Sequence, residues 1–343
     1  MSQAKPKAVF VVTSEGKDLY SAMTRVAIAS LRHSNPSLHI TIAADRQTDS
    51  VLRAAADPLI AEADEWLVFE TPDGSGEFRN RYVKTQLRNL LDGPFLFLDS
   101  DIFARRDLSE ILALDCDIAA APNHSREIFS EQVWDQDRAT LDAMGWTTGD
   151  QVYLNGGVLF FNDTVAARAL ASDWHRRWTA SSASRGSHRD QPALNSALAA
   201  CRPRLAILPD RFNAQVIPSP EVAVDAVIWH FYSSADRPQW TNFDLLVRGL
   251  LEGGKLDSVE INRCAALRHP WVGEGIIEVS LQLAALRSEC AQFKREHASL
   301  QQEMDKILAS RSWKITQRLR DIDTLAERLR SGLITPVGGK KRI

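Results

Sequence analysis

The sequence predicts an α/β domain with a mostly parallel sheet, followed by a helical or coiled-coil extension at the C-terminus. In the first hundred residues, short apolar runs alternate with segments whose apolar residues recur at helical spacing. The apolar runs are continuous, which is typical of strands that are buried on both faces of a parallel sheet. We expect a domain over residues 1–270, an extension over 276–330 and a disordered basic tail over 331–343.

Each predicted strand is a short run of β-branched, aromatic or aliphatic residues between polar segments. Strands are predicted over residues 8–12, 38–43, 66–69, 95–98, 117–121, 158–161 and 226–230. Helices are predicted over residues 19–31, 51–63, 79–91, 165–178 and 191–200. Residues 155–157, Asn-Gly-Gly, are expected to form a turn before a strand. The alternation favours helices on both faces of the sheet.

The extension is predicted from apolar positions that follow a strict 3,4 spacing. They are Ile276, Val279, Leu283, Leu286, Cys290, Phe293, His297, Leu300, Met304 and Ile307. After a break at residues 311–314, the repeat resumes in a new frame at Ile315, Leu319, Ile322, Ala326 and Leu329. The spacing favours a coiled coil that makes a homo-oligomer or docks on a partner. A helix that folds back on the domain is the alternative.

The formal net charge of −3 is unevenly distributed. Residues 306–343 contain ten Lys or Arg and three Asp or Glu, so the end of the chain is basic. Such a segment is typical of contact with an anionic membrane surface or with another protein. A solvated helix face gives the same composition.

The chain shows no secretion or zinc-binding pattern. The cysteines, Cys116, Cys201, Cys264 and Cys290, form no CxxC pair. The first residues lack the apolar segment and cleavage site of a signal peptide, and no window is apolar enough to span a membrane. We therefore expect a cytoplasmic protein, with the basic end available for peripheral contact with the inner face of the membrane.

Two aspartates, Asp99 and Asp101, directly follow the apolar run FLFL and form a DxD motif. Open α/β sheets bind ligands at the carboxyl ends of strands, and residues i and i+2 of an extended segment point the same way. Two carboxylates this close repel each other unless a cation or a proton lies between them. The pair therefore indicates a Mg²⁺ or Mn²⁺ site, although solvated or capping aspartates give the same short pattern.

Three further features strengthen this interpretation. His230 closes an apolar run and could supply an imidazole ligand, although a lone histidine there is more often structural. The glycines within residues 155–157 let backbone approach a ligand closely. Asp190 and Gln191 lie at a predicted helix entrance, where Asp190 could also be a simple N-cap.

Four ordered blocks over residues 7–242 together resemble glycosyltransferase family 8 and its neighbours with the GT-A fold. They are AVFVVTS, LFLDSD, YLNGGVLFFN followed by RDQPALN, and WHF before a Pro and a Trp. The resemblance implies a Rossmann-like GT-A domain that transfers a sugar, with retention, from a nucleotide diphosphate donor. A UDP-hexose is the expected donor, Mn²⁺ or Mg²⁺ the expected cofactor, and a glycan, lipid or protein the acceptor, as in polysaccharide biosynthesis. Nucleic acid is not expected as a partner.

The resemblance also implies roles for individual residues. The implied metal ligands are Asp99, Asp101 and His230. The implied donor-binding residues are Thr13, Ser14, Tyr20, Lys84, Asp99, Ser100, Gly156, Gly157 and Arg237. The implied catalytic residues beside the transferred sugar are Asn155, Asp190 and Gln191. The departing phosphate could accept the acceptor's proton in a front-face reaction, or Asp190 could act as the nucleophile of a double displacement.

The sequence departs from the family after its histidine. A serine stands at the usual glycine position, Arg237 replaces a lysine, and Gln239 separates Pro238 from Trp240. Arginine can still bind phosphate in a bidentate manner. The departures leave the geometry of this loop, and with it the donor preference, open.

Two rival interpretations remain. A phosphatase of the haloacid dehalogenase type also places DxD after a strand, but near the start of the chain and with a different continuation. The second rival is a catalytically silent sugar-nucleotide-binding scaffold that oligomerises through its coiled coil. The intact Asp99, Asp101 and His230 set favours an enzyme.

Overall fold

The structure, a computed structural model, describes residues 6–16, 19–125, 132–149, 152–232, 240–314 and 316. Within them it confirms the α/β class, the mostly parallel central sheet and a long helix near the C-terminus. The chain divides into two compact units, Met1–Leu281 and Gln282–Ile343. The repeat predicted after residue 314 and the basic tail lie outside the described residues, apart from Thr316.

The strands follow the predicted apolar runs closely. They are β1 (Lys7–Val12), β2 (His39–Asp45), β3 (Glu65–Phe69), β4 (Phe95–Leu98), β5 (Ile102–Ala104), β6 (Ile118–Pro122), β7 (Leu154–Phe161), β8 (Leu205–Ile207), β9 (Ala214–Gln215) and β10 (Ile228–His230). Strands β5, β8 and β9 were not predicted, because each has only two or three residues.

Helices lie between most of these strands and follow the last one. They are α1 (Leu19–Ser34), α2 (Arg46–Ala54), α3 (Leu59–Glu62), α4 (Gly76–Lys84), α5 (Leu87–Leu90), α6 (Ser109–Leu112), α7 (Asp135–Met144), α8 (Val165–Arg185), α9 (Gln191–Cys201), α10 (Asn242–Leu251), α11 (Ser258–Ala266) and α12 (Glu274–Ala309). Among the described helices, none combines the length and hydrophobicity needed to cross a membrane.

The large sheet contains seven described strands in the order β3-β2-β1-β4-β7-β6-β8. The strands from β3 to β4 are parallel, as are β6 and β8, whereas β7 runs antiparallel to both of its neighbours. Three short strands form a second sheet in the order β5-β10-β9. Because β7 is reversed, its amino end lies at the same edge as the carboxyl ends of β1 and β4, where open α/β sheets bind ligands.

Both faces of the large sheet are buried, as its continuous apolar strands require. In β1, Ala8, Phe10 and Val12 pack with residues of α1 and α2 on one face. Val9 and Val11 lie on the opposite face, where they pack with residues of α4, α8 and α9. This two-sided burial fixes the register of β1, since a slip by one residue would exchange the two faces.

A third apolar core surrounds the small sheet. Phe103 of β5 and Trp229 of β10 pack there with residues of α1, α10 and α11. Phe231, just after β10, stacks on Phe243 of α10 with ring centroids 4.4 Å apart. This core holds the end of β10 against β5, beside the edge of the large sheet that carries the predicted site.

Two segments that were each predicted as one helix contain two shorter helices, so these predictions are wrong. The segment 51–63 contains α2 and α3, which are separated by a turn in which Ala56 has a φ of +48° and which ends at Pro58. The segment 79–91 contains α4 and α5, because the helical geometry is interrupted after Thr85. Apolar spacing alone does not show such local breaks.

The predicted turn at residues 155–157 is also wrong, because all three residues belong to β7. Leu98 pairs with Val158, and the backbone N–H of Asp99 donates to Gly157 O at 2.8 Å. The glycines therefore extend the strand at the edge of the sheet rather than reverse the chain. The reason for glycine at Gly157 is close packing, as the site shows below.

Our first prediction concerns a buried ion pair that ties β2 to α4. Asp45, at the end of β2, lies 2.7 Å from Arg79, and both side chains are almost fully buried. Replacing Asp45 with Asn should lower the free energy of unfolding by about 3 kcal/mol, because it leaves a buried guanidinium without a counter-charge. Chemical denaturation at pH 7 measures this change.

The control is Glu70→Gln, which breaks the exposed pair between Glu70 and Arg46 at the end of β3. Solvent screens this pair, so its loss should leave the midpoint of denaturation unchanged. Equal midpoints for the Asp45 variant and the wild type would contradict the prediction.

Candidate functional site

A cleft of about 760 Å³ lies at the edge of the large sheet where β1 and β4 end and β7 begins. Every predicted site residue within the described part of the chain lines this cleft. These residues are Thr13, Ser14, Tyr20, Lys84, Asp99, Ser100, Asp101, Asn155, Gly156, Gly157, Asp190, Gln191 and His230. Arg237 lies outside the described residues.

The two aspartates flank a turn that carries the chain from the large sheet to the small one. Asp99 follows β4, and Asp101 precedes β5. The expected extended segment is therefore absent at residues 99–101, where the described backbone bends. Ser100, at the centre of the turn, accepts a hydrogen bond from Thr24 of α1 at 2.9 Å. That contact directs Ser100 away from the two carboxylates.

The small sheet brings His230 to the aspartates. In β10, His230 pairs with Ile102 of β5 and with Gln215 of β9. Its Nε2 atom lies 3.3 Å from Asp101 Oδ1 and 3.9 Å from Asp99 Oδ2. One ligand atom from each of the three residues lies within 4.8 Å of the others, so a single cation could contact all three.

Gly157 makes this convergence possible. A Cβ atom at Gly157 would lie 2.9 Å from Asp99 Oδ2 and would overlap His230 Cε1 at a distance that no real side chain shows. Gly156 differs, because a Cβ there would meet Lys84 and Asp190 only at ordinary van der Waals distances, 3.7 and 3.8 Å. Any side chain at Gly157 would therefore displace the imidazole or Asp99.

Lys84 connects the aspartate turn to the entrance of α9. Its buried ammonium lies 3.1 Å from Asp99 Oδ1 and 3.2 Å from Asp190 Oδ2. Arg81, one helical turn earlier, lies 3.3 Å from Asp190 Oδ1. Burial alone would raise the pKa of Asp190, but the charges of Lys84 and Arg81 outweigh it and hold this pKa below its ordinary value. Asp190 is therefore kept ionised.

Asp190 does not act as a simple helix cap. It occupies the N-cap position of α9, but its side chain makes no capping hydrogen bond within the described chain. Its carbonyl oxygen accepts a hydrogen bond from Trp174 Nε1 at 3.0 Å, which fixes the backbone at this point. The carboxylate is thus directed toward the cations of α4 and lies in the wall of the cleft.

A chain of amide side chains determines which nitrogen of His230 faces the aspartates. The backbone N–H of Gly157 donates to Asn155 Oδ1 at 2.8 Å, and Asn213 Nδ2 donates to the same oxygen at 2.9 Å. Asn213 Oδ1 then faces His230 Nδ1 at 2.8 Å, so Nδ1 carries the proton. In the neutral ring, the lone pair of Nε2 consequently points at the carboxylates, as in a metal ligand.

Tyr232 packs on the imidazole from one side. The rings of Tyr232 and His230 stack with centroids 4.6 Å apart, and the Tyr232 hydroxyl donates to Gln215 Oε1 at 2.7 Å. Burial, followed by the charges of Asp101 and Asp99, raises the pKa of Tyr232 well above its ordinary value. Tyr232 has a φ of +51°, a costly conformation for an aromatic residue that tends to persist at functional sites.

The segment after β1 also lines the cleft. Thr13 Oγ1 donates to Gly76 O at 2.9 Å, and the backbone N–H of Ser14 donates to Thr48 Oγ1 at 2.9 Å. These contacts hold the buried Thr13 and Ser14 in place. Tyr20, by contrast, is 54% exposed and offers a ring surface at the mouth of the cleft.

Among the residues that the sequence did not indicate, three make contacts that shape the site. Arg81 had a detectable signal, because its three-residue spacing from Lys84 puts both cations on one face of α4. Tyr232 had no signal beyond its position two residues after His230. Asn213 had no signal, since it lies in an irregular segment and its role depends on contacts with Asn155 and His230.

A scan against protein-family models and a search of curated proteins found no match. Similar solved structures include the galactosyltransferase LgtC in complex with donor and acceptor sugar analogues, with a TM-score of 0.49, 16% identity, and coverage of 71% of this chain and 95% of that chain. Mouse xyloside xylosyltransferase 1 has a TM-score of 0.45 and 13% identity, over 68% of this chain and 100% of that chain. The glycosyltransferase GlyE of Streptococcus pneumoniae TIGR4 has a TM-score of 0.47 and 18% identity, over 79% of this chain and 66% of that chain. At these values the likenesses carry no argument for function, and we base the proposal on the cleft.

Our second prediction tests the charge balance at Lys84. Replacing Lys84 with Met should lower the free energy of unfolding at pH 7 by about 3 kcal/mol, because the buried Asp190 and the partly buried Asp99 lose a shared cation. A carboxylate with a lowered pKa stabilises the fold above its unfolded-state pKa, and this stability is lost as the pH falls through the folded value. The difference between variant and wild type should therefore be smaller at about pH 3, below the ordinary aspartate pKa of about 3.9, than at pH 7, because the stability that the lowered pKa of Asp190 provides is lost in this direction.

Chemical denaturation at the two pH values provides the measurement. Arg53→Met is the control, since Arg53 forms an exposed pair with Asp49 and should cause no change at either pH. A destabilisation by Lys84→Met that is the same at both pH values would contradict this account.

Proposed function

We propose that this protein is a metal-dependent glycosyltransferase of the GT-A fold. It transfers a sugar from a nucleotide diphosphate donor, with a UDP-hexose as the expected donor, to a glycan, lipid or protein acceptor. The observation that carries the proposal is the convergence of Asp99, Asp101 and His230 in a cleft at the ligand-binding edge of an α/β sheet. The four ordered sequence blocks agree with it.

The three side chains fit Mn²⁺ or Mg²⁺. Two carboxylates and one imidazole form an oxygen-rich set that leaves positions for phosphate oxygens and water. Asp99 has one oxygen directed to Lys84 and the other toward His230, so it can serve both a cation and the ammonium group. A divalent ion bound there would act as a Lewis acid on the donor phosphates.

The remaining side chains of the cleft suit the other parts of the reaction. Lys84 and Arg81 provide fixed positive charge beside the position of the leaving diphosphate, where negative charge grows as the sugar bond breaks. Asp190 remains an ionised acceptor that can bind sugar hydroxyls, or attack the sugar if the reaction is a double displacement. Gln191 Oε1 lies 3.4 Å from Asn155 Nδ2, so these two amides form one polar wall.

Other parts of the proposal rest on the sequence. We propose membership of glycosyltransferase family 8, retention at the anomeric carbon, a cytoplasmic location and a role in polysaccharide biosynthesis. A boundary near residue 270, homo-oligomers formed through the extension, and peripheral membrane contact by the basic end also remain proposals. Most of that basic end lies outside the described residues.

Our third prediction tests the metal clamp, the set of Asp99, Asp101 and His230. A panel of nucleotide sugars is incubated with the protein and Mn²⁺, and release of nucleoside diphosphate is measured. Chelation by EDTA should abolish turnover, and Asp101→Asn should lower kcat by about a hundredfold or more, because the diphosphate loses its counter-charge. Asp142→Asn, an exposed carboxylate on α7, is the matched control and should retain full activity.

The outcomes separate the candidate functions. Equal turnover with Mn²⁺ and with EDTA would show that the reaction does not require a divalent metal ion. Tight binding of a nucleotide sugar, measured by calorimetry, without turnover of any donor would instead favour the silent scaffold.

Our fourth prediction concerns Asn213, which orients His230. Replacing Asn213 with Leu removes the acceptor of the Nδ1 proton, so the Mn²⁺ affinity should fall about tenfold. Asn213→Asp keeps an acceptor oxygen for Nδ1 but loses the N–H that donates to Asn155, so it should retain more of the affinity than Asn213→Leu without reaching the wild-type value. Calorimetric titration with Mn²⁺ alone measures both variants without requiring activity. An unchanged Mn²⁺ affinity in Asn213→Leu would show that the contact between Asn213 and His230 does not orient the imidazole.

A further inference from the structure

The helix α12 presents an apolar seam, defined as the described a and d positions of its heptad repeat. Its aliphatic and aromatic members, Val279, Leu283, Leu286, Phe293, Leu300, Met304 and Ile307, are between 43% and 68% exposed. The helix has 36 residues, which corresponds to about 54 Å. A long helix gains most of its stability from packing its apolar side, so this seam is expected to have a partner.

The charges beside the seam are segregated by heptad position. With Leu283 and Met304 at a positions, the g column contains Glu289, Glu296 and Glu303. The e column contains Lys294 and Gln301, with no acidic residue at its described positions. One side of the seam is therefore acidic, and the other is basic or neutral.

This distribution of charges favours one orientation of a pair of these helices over the other. In a parallel, in-register pair of helices, each g residue faces the e residue five positions later on the other chain. Glu289 would then face Lys294 of a second copy, in two symmetry-related pairs. In an antiparallel pair, g faces g, and the glutamate column would face itself. The helix is thus complementary to itself in only one of the two orientations.

We propose that the seam of α12 binds a second copy of this chain as a parallel, in-register, two-stranded coiled coil. The proposal does not depend on the transferase activity, since none of these residues lines the cleft. It places His297, a polar residue at an a position, opposite its own equivalent, which favours a single register at some cost in stability.

A charge-reversal cycle on the full-length protein tests this arrangement. Sedimentation equilibrium measures the dimer dissociation constant of the wild type, Glu289→Lys, Lys294→Glu and the double variant. Each single reversal should raise the constant about threefold to tenfold, because two ion pairs become two repulsive pairs. The double variant should return to within about twofold of the wild type, because the pairs re-form with opposite polarity. Lys306→Glu, outside the four contact columns, is the control and should leave the constant unchanged.

Phe293→Asp provides an independent check on the seam, because a buried charge at a d position should convert the dimer to a monomer. Its matched control is Gln302→Asp, on the outer side of the helix. Single reversals that leave the dimer unchanged would overturn the parallel arrangement. A full-length chain that is monomeric at about 100 µM, well above typical coiled-coil dissociation constants, would overturn self-association altogether and assign the seam to a different partner.

Discussion

The ammonium group of Lys84 pairs with two carboxylates that are distant in the sequence, Asp99 before β7 and Asp190 after it. It lies 3.1 Å from Asp99 and 3.2 Å from Asp190, and its side chain is almost completely buried. Burial favours the neutral form of Asp190, and the charge of Lys84 opposes this preference. The orientation of the aspartate turn and that of the α9 entrance therefore both depend on one side chain of α4.

The second constraint is the contact between a strand and an imidazole. Gly157 lies so close to His230 that no other residue fits, and the same glycine donates its N–H to Asn155. Through Asn213, this backbone group determines the protonated nitrogen of His230. The convergence of Asp99, Asp101 and His230 thus depends on main-chain geometry in β7, where residues 155–157 belong to the strand.

Whether the sequence predicted an element correctly depended on the length and the burial of that element. Strands β1 and β4 were found because a strand buried on both faces must be continuously apolar. Strands β5 and β9 were missed because two or three residues carry no period, although they are the strands that flank His230. The helix breaks near Pro58 and Thr85 were missed because local backbone conformation, not apolar spacing, ends those helices.

The sequence by itself determined the α/β class, the heptad repeat of α12 and thirteen of the residues that line the cleft, since these depend on local patterns and on ordered motif blocks. Tertiary structure decided how those residues meet. The convergence of Asp99, Asp101 and His230 requires a second sheet whose pairing is set by packing around Phe103 and Trp229. The role of Asn213 requires contacts between segments that are distant along the chain. Such contacts leave no periodic trace in the sequence, because they are selected by three-dimensional fit rather than by neighbouring residues.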